Sequence, residues 1–208
     1  FYVIITPEFS LQKNVPPLMY VDDLMKYIGR DYYISLLSAA ALHGAAHQQP
    51  MRFFVTTGMP PIRNIENDRL HIAFNIKKEW DDSCVTQMKT RTGYVNVSTP
   101  EATMLDLVEN QRTFGLARVV GIIDELSECI SKSSLRHTAI YYPTAIIQRL
   151  GYIFESLLEK ADLTKCLSSV LAKRTVYPQY LSLSAEKRGT LDETWKVIVN
   201  DEIETDIL

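Results

Sequence analysis

The sequence predicts an α/β (α+β) domain in which a small mixed β-sheet packs with about six helices. Two kinds of apolar spacing lead to this prediction: a period of about 3.6 residues in some segments and alternation in others. Along the chain the segments follow the order strand, two helices, about three strands, four helices and strand. Such an order is typical of a sheet that buries one face against helices.

The first five residues, from Phe1 to Ile5, are aromatic and β-branched, which favours a strand. No methionine precedes them, and an apolar strand without a partner exposes both backbone groups and apolar side chains. We therefore expect this strand to belong to a structure encoded upstream, and the chain to be a fragment. Residues 6–17, which contain three prolines, are predicted to form an extended linker.

Two helices are predicted to follow the linker. In residues 18–28 the apolar side chains recur at helical spacing, and Gly29 ends the pattern. The second helix is predicted over residues 32–43, whose serine- and alanine-rich centre permits close approach of a neighbouring element. Gly44 and Pro50 end it.

The apolar period then changes from 3.6 to 2. Residues 70–78 are predicted to form a strand with one buried face, because every second side chain from Leu70 to Ile76 is a large apolar one. Residues 51–57 and 93–97 are two further predicted strands.

The second half of the chain is predicted to be mainly helical. Thr99-Pro100-Glu101 is a strong helix start, with Thr99 as N-cap, Pro100 at the first helical position and Glu101 near the positive end of the helix dipole. The predicted helices cover residues 100–108 and about 116–130, 141–157 and 162–173. Residues 195–200 are predicted to be a strand, and residues 178–194 a loop or a short strand.

Composition excludes several classes of protein. The 208 residues carry a net charge of −3, the pI is near 5.8 and the mean hydropathy is −0.06. No apolar run approaches the ~20 residues that a membrane span needs, so we expect no membrane partner. A stand-alone nucleic-acid clamp usually has a pI above ~9, so the composition argues against that class of protein as well.

The three cysteines, Cys84, Cys129 and Cys166, form no CxxC or CxxH pattern and are too few for a disulfide framework. We expect reduced thiols, partly or wholly buried. This prediction places the protein in a reducing cytoplasm.

Catalytic motifs are weak or incomplete. His43 and His47 have the spacing of a helical zinc pair, but Gly44 stands where a zinc protease needs a glutamate. In Asn75-Ile76-Lys77 an amide replaces the carboxylate that a nuclease would use to hold its metal. We therefore expect no catalytic site, no metal site and no cofactor.

Small basic clusters remain as candidate contact residues. Lys77 and Lys78 form one cluster, and Lys89 with Arg91 forms another. Such residues can lie on a solvated face, or they can contact an acidic partner or a DNA backbone.

Four segments resemble the AbiEi family of antitoxins, which are the transcriptional-regulator halves of bacterial type IV toxin–antitoxin systems. The segment YYISLLSAAALHGAAHQQP (32–50) resembles the family's central signature. Segments that resemble later parts of the family follow in the same order: GYVNVSTPEATMLDLV (93–108), QRLGYIFE (148–155) and WKVIVNDEIETDIL (195–208).

The resemblance implies a domain organisation. Members of the family carry an N-terminal winged helix-turn-helix, and residues 1–17 resemble the last wing strand and a linker. Residues 18–208 resemble the C-terminal antitoxin domain. Operator DNA would then be bound by a winged helix that this chain largely lacks.

The resemblance also implies a function. It predicts a non-enzymatic antitoxin and transcriptional autorepressor of an abortive phage infection operon, which counters a nucleotidyltransferase-like toxin. A DNA-binding regulator without a toxin partner stays open as an alternative, with this fragment as its dimerisation or effector module. A degenerate nuclease is the third hypothesis.

Overall fold

A computed structural model of the chain describes residues 1–5, 7–9, 15–45, 50–67 and 70–203. The chain forms two compact units, Phe1–Thr99 and Pro100–Leu208. The division falls at the predicted helix start, where no proline- or glycine-rich linker marks it in the sequence. The predicted boundary at residue 17 stays a prediction.

The first unit is a six-stranded mixed sheet with two α-helices. Its sheet order is β3-β4-β2-β1-β6-β5, with β2 parallel to β4 and β1 parallel to β6. The other neighbouring strands are antiparallel. The elements are α1 (Val21–Ile28), β1 (Tyr32–Ile34), α2 (Leu36–Leu42), β2 (Phe53–Thr57), β3 (Ile65–Asn67), β4 (Leu70–Ile76), β5 (Val85–Lys89) and β6 (Tyr94–Ser98).

One face of this sheet forms the core with α1. Ile34, Val55, Ile72 and Val97 are fully buried there and belong to one cluster with the apolar side of α1. Burying each such side chain stabilises the fold by about 1.5–3 kcal/mol. The helix ends at Gly29, whose left-handed backbone (φ 71°) lets its N–H bond back to the last turn. The predicted first helix is thus confirmed from residue 21 onward.

The predicted helix over residues 32–43 is wrong in its first part. Tyr32–Ile34 forms β1, and the helix α2 begins only at Leu36. Tyr32, Tyr33 and Ile34 are aromatic or β-branched; all three pair with β2, and Ile34 also pairs with β6. Because the strand is only three residues long, alternation could not distinguish it from the helix that follows.

The predicted strand over residues 1–5 is also absent. These residues are exposed, and no described residue pairs with their backbone. A strand needs such a partner for its ladder. The Phe1 ring instead lies 6.3 Å from that of Tyr20 and 5.8 Å from that of Tyr27. The interpretation of this segment as a wing strand stays a prediction.

The predicted linker is not uniformly extended. Short 3₁₀ turns occur at Pro7–Phe9 and Pro17–Met19. Residues 6 and 10–14 lie outside the described part of the chain.

The second unit is a helical bundle with a small sheet of order β7-β9-β8. Its central helix α3 is buried on all sides, as expected for a helix surrounded by others. The elements are α3 (Pro100–Glu109), α4 (Gln111–Phe114), α5 (Leu116–Ser127), α6 (Lys132–Ala139), α7 (Thr144–Tyr152), α8 (Ala161–Leu171), β7 (Gln179–Tyr180), β8 (Thr190–Asp192) and β9 (Val197–Val199). A π-helical turn, Ile153–Leu157, continues α7.

The α/β fold class is confirmed, but the structure has more elements than the sequence predicts. The two additional helices are α4 and α6, and the additional strands include β3 and β5. α6 is hard to detect because most of its residues are polar and exposed, with Leu135 as its one large buried side chain. No described helix is long and apolar enough to cross a membrane.

All three cysteines are free thiols. Cys84 is buried and Cys166 is half-buried, as expected, but Cys129 is exposed. It lies in the turn after α5, where its thiol donates to the Leu126 carbonyl oxygen at 3.3 Å.

In the second unit, α7 holds the segments around β7 and β9 through polar contacts. The amide of Gln148 donates to the carbonyl oxygens of Tyr177 and Trp195, both at 2.9 Å. The Arg149 side chain donates to the carbonyl oxygen of Tyr180 at 2.7 Å. Burial lowers the pKa of Arg149. These contacts give a structural reason for two polar residues on a buried helix.

Gly151 lets the Trp195 ring lie against α7. A Cβ atom at position 151 would be 2.1 Å from the ring atom Cζ3, far inside contact distance. Trp195 is only 2% exposed, and its indole N–H donates to the Glu155 carboxylate. The ring therefore has little freedom to move away.

Gly151→Ala is expected to lower the free energy of unfolding by about 2 kcal/mol, because the new methyl group overpacks this contact. In thermal unfolding, this corresponds to a lower Tm by about 4–8 °C. The matched control is Gly58→Ala, where a Cβ meets nothing within 4 Å. A Tm for Gly151→Ala equal to that of Gly58→Ala would contradict the contact.

A buried tyrosine joins α3 to the start of α7. The Tyr142 hydroxyl donates to the Asp106 carboxylate at 2.7 Å and lies 3.2 Å from the Ala102 carbonyl oxygen. Tyr142 is 3% exposed and Asp106 is 1% exposed. A hydrogen bond to a charged group in such a site stabilises by about 1.5–3 kcal/mol.

Tyr142→Phe is therefore expected to lower the free energy of unfolding by about 2 kcal/mol, as measured by urea denaturation. Tyr177→Phe, in the same unit and 67% exposed, serves as the control and should change it by less than about 0.5 kcal/mol. Equal effects of the two substitutions would show that the Asp106 bond contributes nothing.

Candidate partner-binding surface

The four predicted contact residues lie at one end of the first unit's sheet. Lys77 and Lys78 follow the last residue of β4, while Lys89 ends β5 and Arg91 lies in the β5–β6 turn. The strand order places β2, β1 and β6 between β4 and β5. With strands about 4.8 Å apart, the two clusters are about 19 Å from each other. The structure does not bring them into one site.

Their ion pairing differs. Arg91 contacts the Glu8 carboxylate at 3.1 Å, with both side chains at least half exposed. An ion pair so exposed contributes about 0–1 kcal/mol. Lys77 is half-buried, and its backbone N–H donates to the Thr57 carbonyl oxygen at 3.1 Å. Lys78 and Lys89 are exposed and, within the described residues, have no ion-pair partner.

A cavity of about 660 Å³ lies next to Lys78. Because β4 and β5 point in the same direction, residues 77–84 must cross the sheet to connect them. Trp80 in this crossing segment packs edge-on against Tyr33, with ring centroids 5.2 Å apart. The cavity is lined by Gly29, Arg30, Asp31, Tyr32, Thr57, Gly58, Met59, Lys78, Glu79, Trp80, Asp82, Val85, Thr86, Gln87 and Asn96.

The charges around the cavity are mixed. Two cations, Arg30 and Lys78, face three acids, Asp31, Glu79 and Asp82. A phosphate-binding cradle would have an excess of cations or a cluster of backbone N–H groups. The wall is therefore suited to hydrogen bonding with polar, roughly neutral groups.

Two side chains of the wall, Arg30 and Tyr32, hold neighbouring segments in place. The Arg30 guanidinium donates to the carbonyl oxygens of Met59 and Pro60. The Tyr32 hydroxyl donates to the Asp22 carboxylate at 3.0 Å. Burial, helped by the nearby carboxylates, raises the pKa of Tyr32, so its phenol stays protonated at neutral pH.

The two residues nearest to a catalytic motif have structural partners. His43 Nε2 lies 2.7 Å from the Ser98 carbonyl oxygen; this nitrogen must carry the proton, because a carbonyl only accepts. The Asn75 amide donates to the Thr56 hydroxyl at 3.2 Å, between neighbouring strands. His47 lies outside the described residues. Among the described residues, no group of three or more His, Cys, Asp or Glu could hold a metal ion.

Sequence reasoning missed β5, which forms one edge of the sheet. Its sequence, VTQMK, has two apolar residues, and Thr86, Gln87 and Lys89 are exposed. The one sequence signal for a hairpin at this strand was the glycine-containing turn at residues 90–93, which follows it directly.

A family model supplies the comparison that decides the family. The AbiEi antitoxin C-terminal domain matches residues 33–156, more than half of the chain. The chain belongs to this family.

The match begins inside the central strand β1 and ends in the π-helical turn after α7. Of the four segments that resemble the AbiEi family in sequence, those at residues 93–108 and 148–155 lie inside this range. The segment at residues 32–50 begins one residue before it. The fourth, at residues 195–208, lies beyond its end.

Solved structures show the fold. The RV2827C protein from Mycobacterium tuberculosis has a TM-score of 0.62 and 16% identity, with 89% of this chain and 68% of that chain covered. An antigenic nucleotidyltransferase-like protein from Paracoccidioides brasiliensis has a TM-score of 0.44 and 10% identity, with 73% and 90% covered. The second score is too low to support a common fold. No curated protein matches this AbiEi domain.

Arg30→Gln is expected to loosen the loop of residues 58–64, because it removes the guanidinium that binds two carbonyl oxygens there. Amide hydrogen exchange in this loop should become roughly tenfold faster, since hydrogen bonds to a charged group stabilise by about 1.5–3 kcal/mol. Arg63→Gln, an exposed position in the same loop, is the control and should leave exchange unchanged. Unchanged exchange in Arg30→Gln would contradict this role.

Proposed function

We propose that this chain is the toxin-countering domain of a bacterial antitoxin, and that its toxin is a nucleotidyltransferase-like protein. The observation that supports this proposal is the AbiEi antitoxin family match over residues 33–156. The match extends into both units, so the proposal concerns the whole chain rather than one of its sheets.

The proposed domain acts by binding and not by catalysis. His43 and Asn75, the residues nearest to a catalytic motif, bond to neighbouring strands of the same sheet. We place the protein in the reducing cytoplasm, where its three free thiols stay reduced.

Autorepression forms the second half of the proposal. Operator DNA would be bound by a winged helix, which we propose to precede this domain because the sequence resemblance implies it. The chain itself carries a net charge of −3, which favours a protein partner over DNA for the domain. The winged helix and this domain together would then repress an abortive phage infection operon.

Co-expression in bacteria tests the antitoxin half. If a nucleotidyltransferase-like reading frame adjoins this gene, it is induced with and without the 208-residue chain, and colonies are counted. We expect the chain to restore growth. Rescue by a protein that also carries the proposed winged helix, but not by this chain, would place the activity elsewhere. Absence of any such adjoining gene would favour a DNA-binding regulator without a toxin partner.

Charge reversal tests the predicted contact residues. Lys78 and Lys89 are exposed cations without ion-pair partners among the described residues, so Lys78→Glu with Lys89→Glu is expected to reduce rescue about tenfold. Lys173→Glu changes an exposed lysine of the second unit and should leave rescue intact. Equal rescue by the double variant and by Lys173→Glu, at equal expression, would show that Lys78 and Lys89 do not contact the toxin.

A further inference from the structure

The edge strand β5 offers an open backbone for pairing. It hydrogen-bonds to β6 on its inner side, and no described residue pairs with its outer side. Thr86, Gln87 and Lys89 are exposed. An edge of this kind is a ready template for one more strand.

The hydrogen-bond pattern identifies which groups face outward. The Thr99 N–H donates to the Cys84 carbonyl oxygen at 2.9 Å, and the Thr90 N–H donates to the Gly93 carbonyl oxygen at 2.7 Å. In an antiparallel ladder, bonded and non-bonded pairs alternate. Even-numbered residues therefore face β6, while Val85, Gln87 and Lys89 direct their N–H and C=O groups to the open side.

The two ends of this strand carry opposite charges. The exposed Asp82 lies shortly before it, while Lys89 ends it and Arg91 follows. The only ion pair of Arg91 among the described residues is the exposed one with Glu8. A strand with an acidic start and a basic end is complementary to its own sequence in the antiparallel direction.

We propose that β5 is a dimerisation edge, and that its occupant is β5 of a second copy of this chain. The two strands pair antiparallel about a two-fold axis at Gln87. Gln87 then faces the same residue of the second copy, and Val85 faces the second copy's Lys89. All three outward-facing residues of each strand are used, which gives about six backbone hydrogen bonds and one continuous twelve-stranded sheet.

Charge selects this geometry over parallel pairing. Antiparallel pairing brings the short 3₁₀ turn Asp82–Cys84 of one copy to the end of the strand pair where the second copy's Arg91 lies, and the same approach recurs on the other side of the axis. Parallel pairing would place Lys89 beside Lys89. A lysine on an edge strand usually opposes strand addition, but here the two-fold arrangement pairs it with the apolar Val85.

The mass of the full chain in solution, measured by light scattering over a range of protein concentrations, tests the proposal. We expect a mass twice the 23.7 kDa of one chain at high concentration. Gln87→Pro removes an outward N–H group and should give a monomer, whereas Gln87→Ala keeps the backbone and should give the dimer. Circular dichroism shows whether both variants fold.

A charge exchange keeps the test independent of proline. Asp82→Arg alone and Arg91→Asp alone place like charges opposite each other in the dimer, so each protein is expected to be monomeric. An equimolar mixture of the two restores both opposite-charge contacts and should give a heterodimer. A matched exchange at Glu79 and Lys78, outside the paired register, should have no such effect.

Three results would overturn the proposal: a monomeric wild-type chain at every concentration, a dimer that persists in folded Gln87→Pro, or a mixture of the charge variants that stays monomeric. None of these results bears on rescue from the toxin, because the mass is measured on the purified chain alone. Loss of growth rescue with an intact dimer would conversely contradict the antitoxin proposal and leave this one standing.

Discussion

The double pairing of β1 is the constraint on which the first unit depends. This three-residue strand bonds to β2 on one side and β6 on the other, and its side chains are at most 4% exposed. Without it the sheet would separate into β3-β4-β2 and β6-β5. Two-stranded pieces such as β6-β5 are at best marginally stable in water. The AbiEi family match begins inside this strand, at Tyr33.

Strand direction explains where the cavity, the two lysines and the open edge lie. β4 and β5 point the same way, although three strands separate them, so residues 77–84 have to cross the sheet. This crossing segment forms one wall of the polar cavity and delivers β5 to the outer edge. The cavity, the separation of Lys78 from Lys89 and the open edge therefore have a common origin. A change in that connection would alter all three together.

In the second unit, polar contacts join α7 to the segments that form the small sheet. Gln148 and Arg149 bond to carbonyl oxygens of the C-terminal segment, and Gly151 provides the space for the Trp195 ring. Buried polar groups require such partners, because an unpaired one costs about 1–3 kcal/mol. The segment QRLGYIFE is thus explained by its role in holding the small sheet.

The sequence by itself determined the fold class, the family, and the elements with regular apolar spacing, such as α1 and β4. Regular spacing records which side of an element is buried, so long amphipathic elements are visible in it. It could name Lys78 and Lys89 but could not place them, because the strand order depends on pairing between distant residues. Tertiary structure alone decided that Tyr32–Ile34 is a central strand, that residues 1–5 form none, and that the polar segment Val85–Lys89 is an edge. A strand this short, or one exposed on its outer side, forms only when a neighbouring strand supplies its hydrogen bonds.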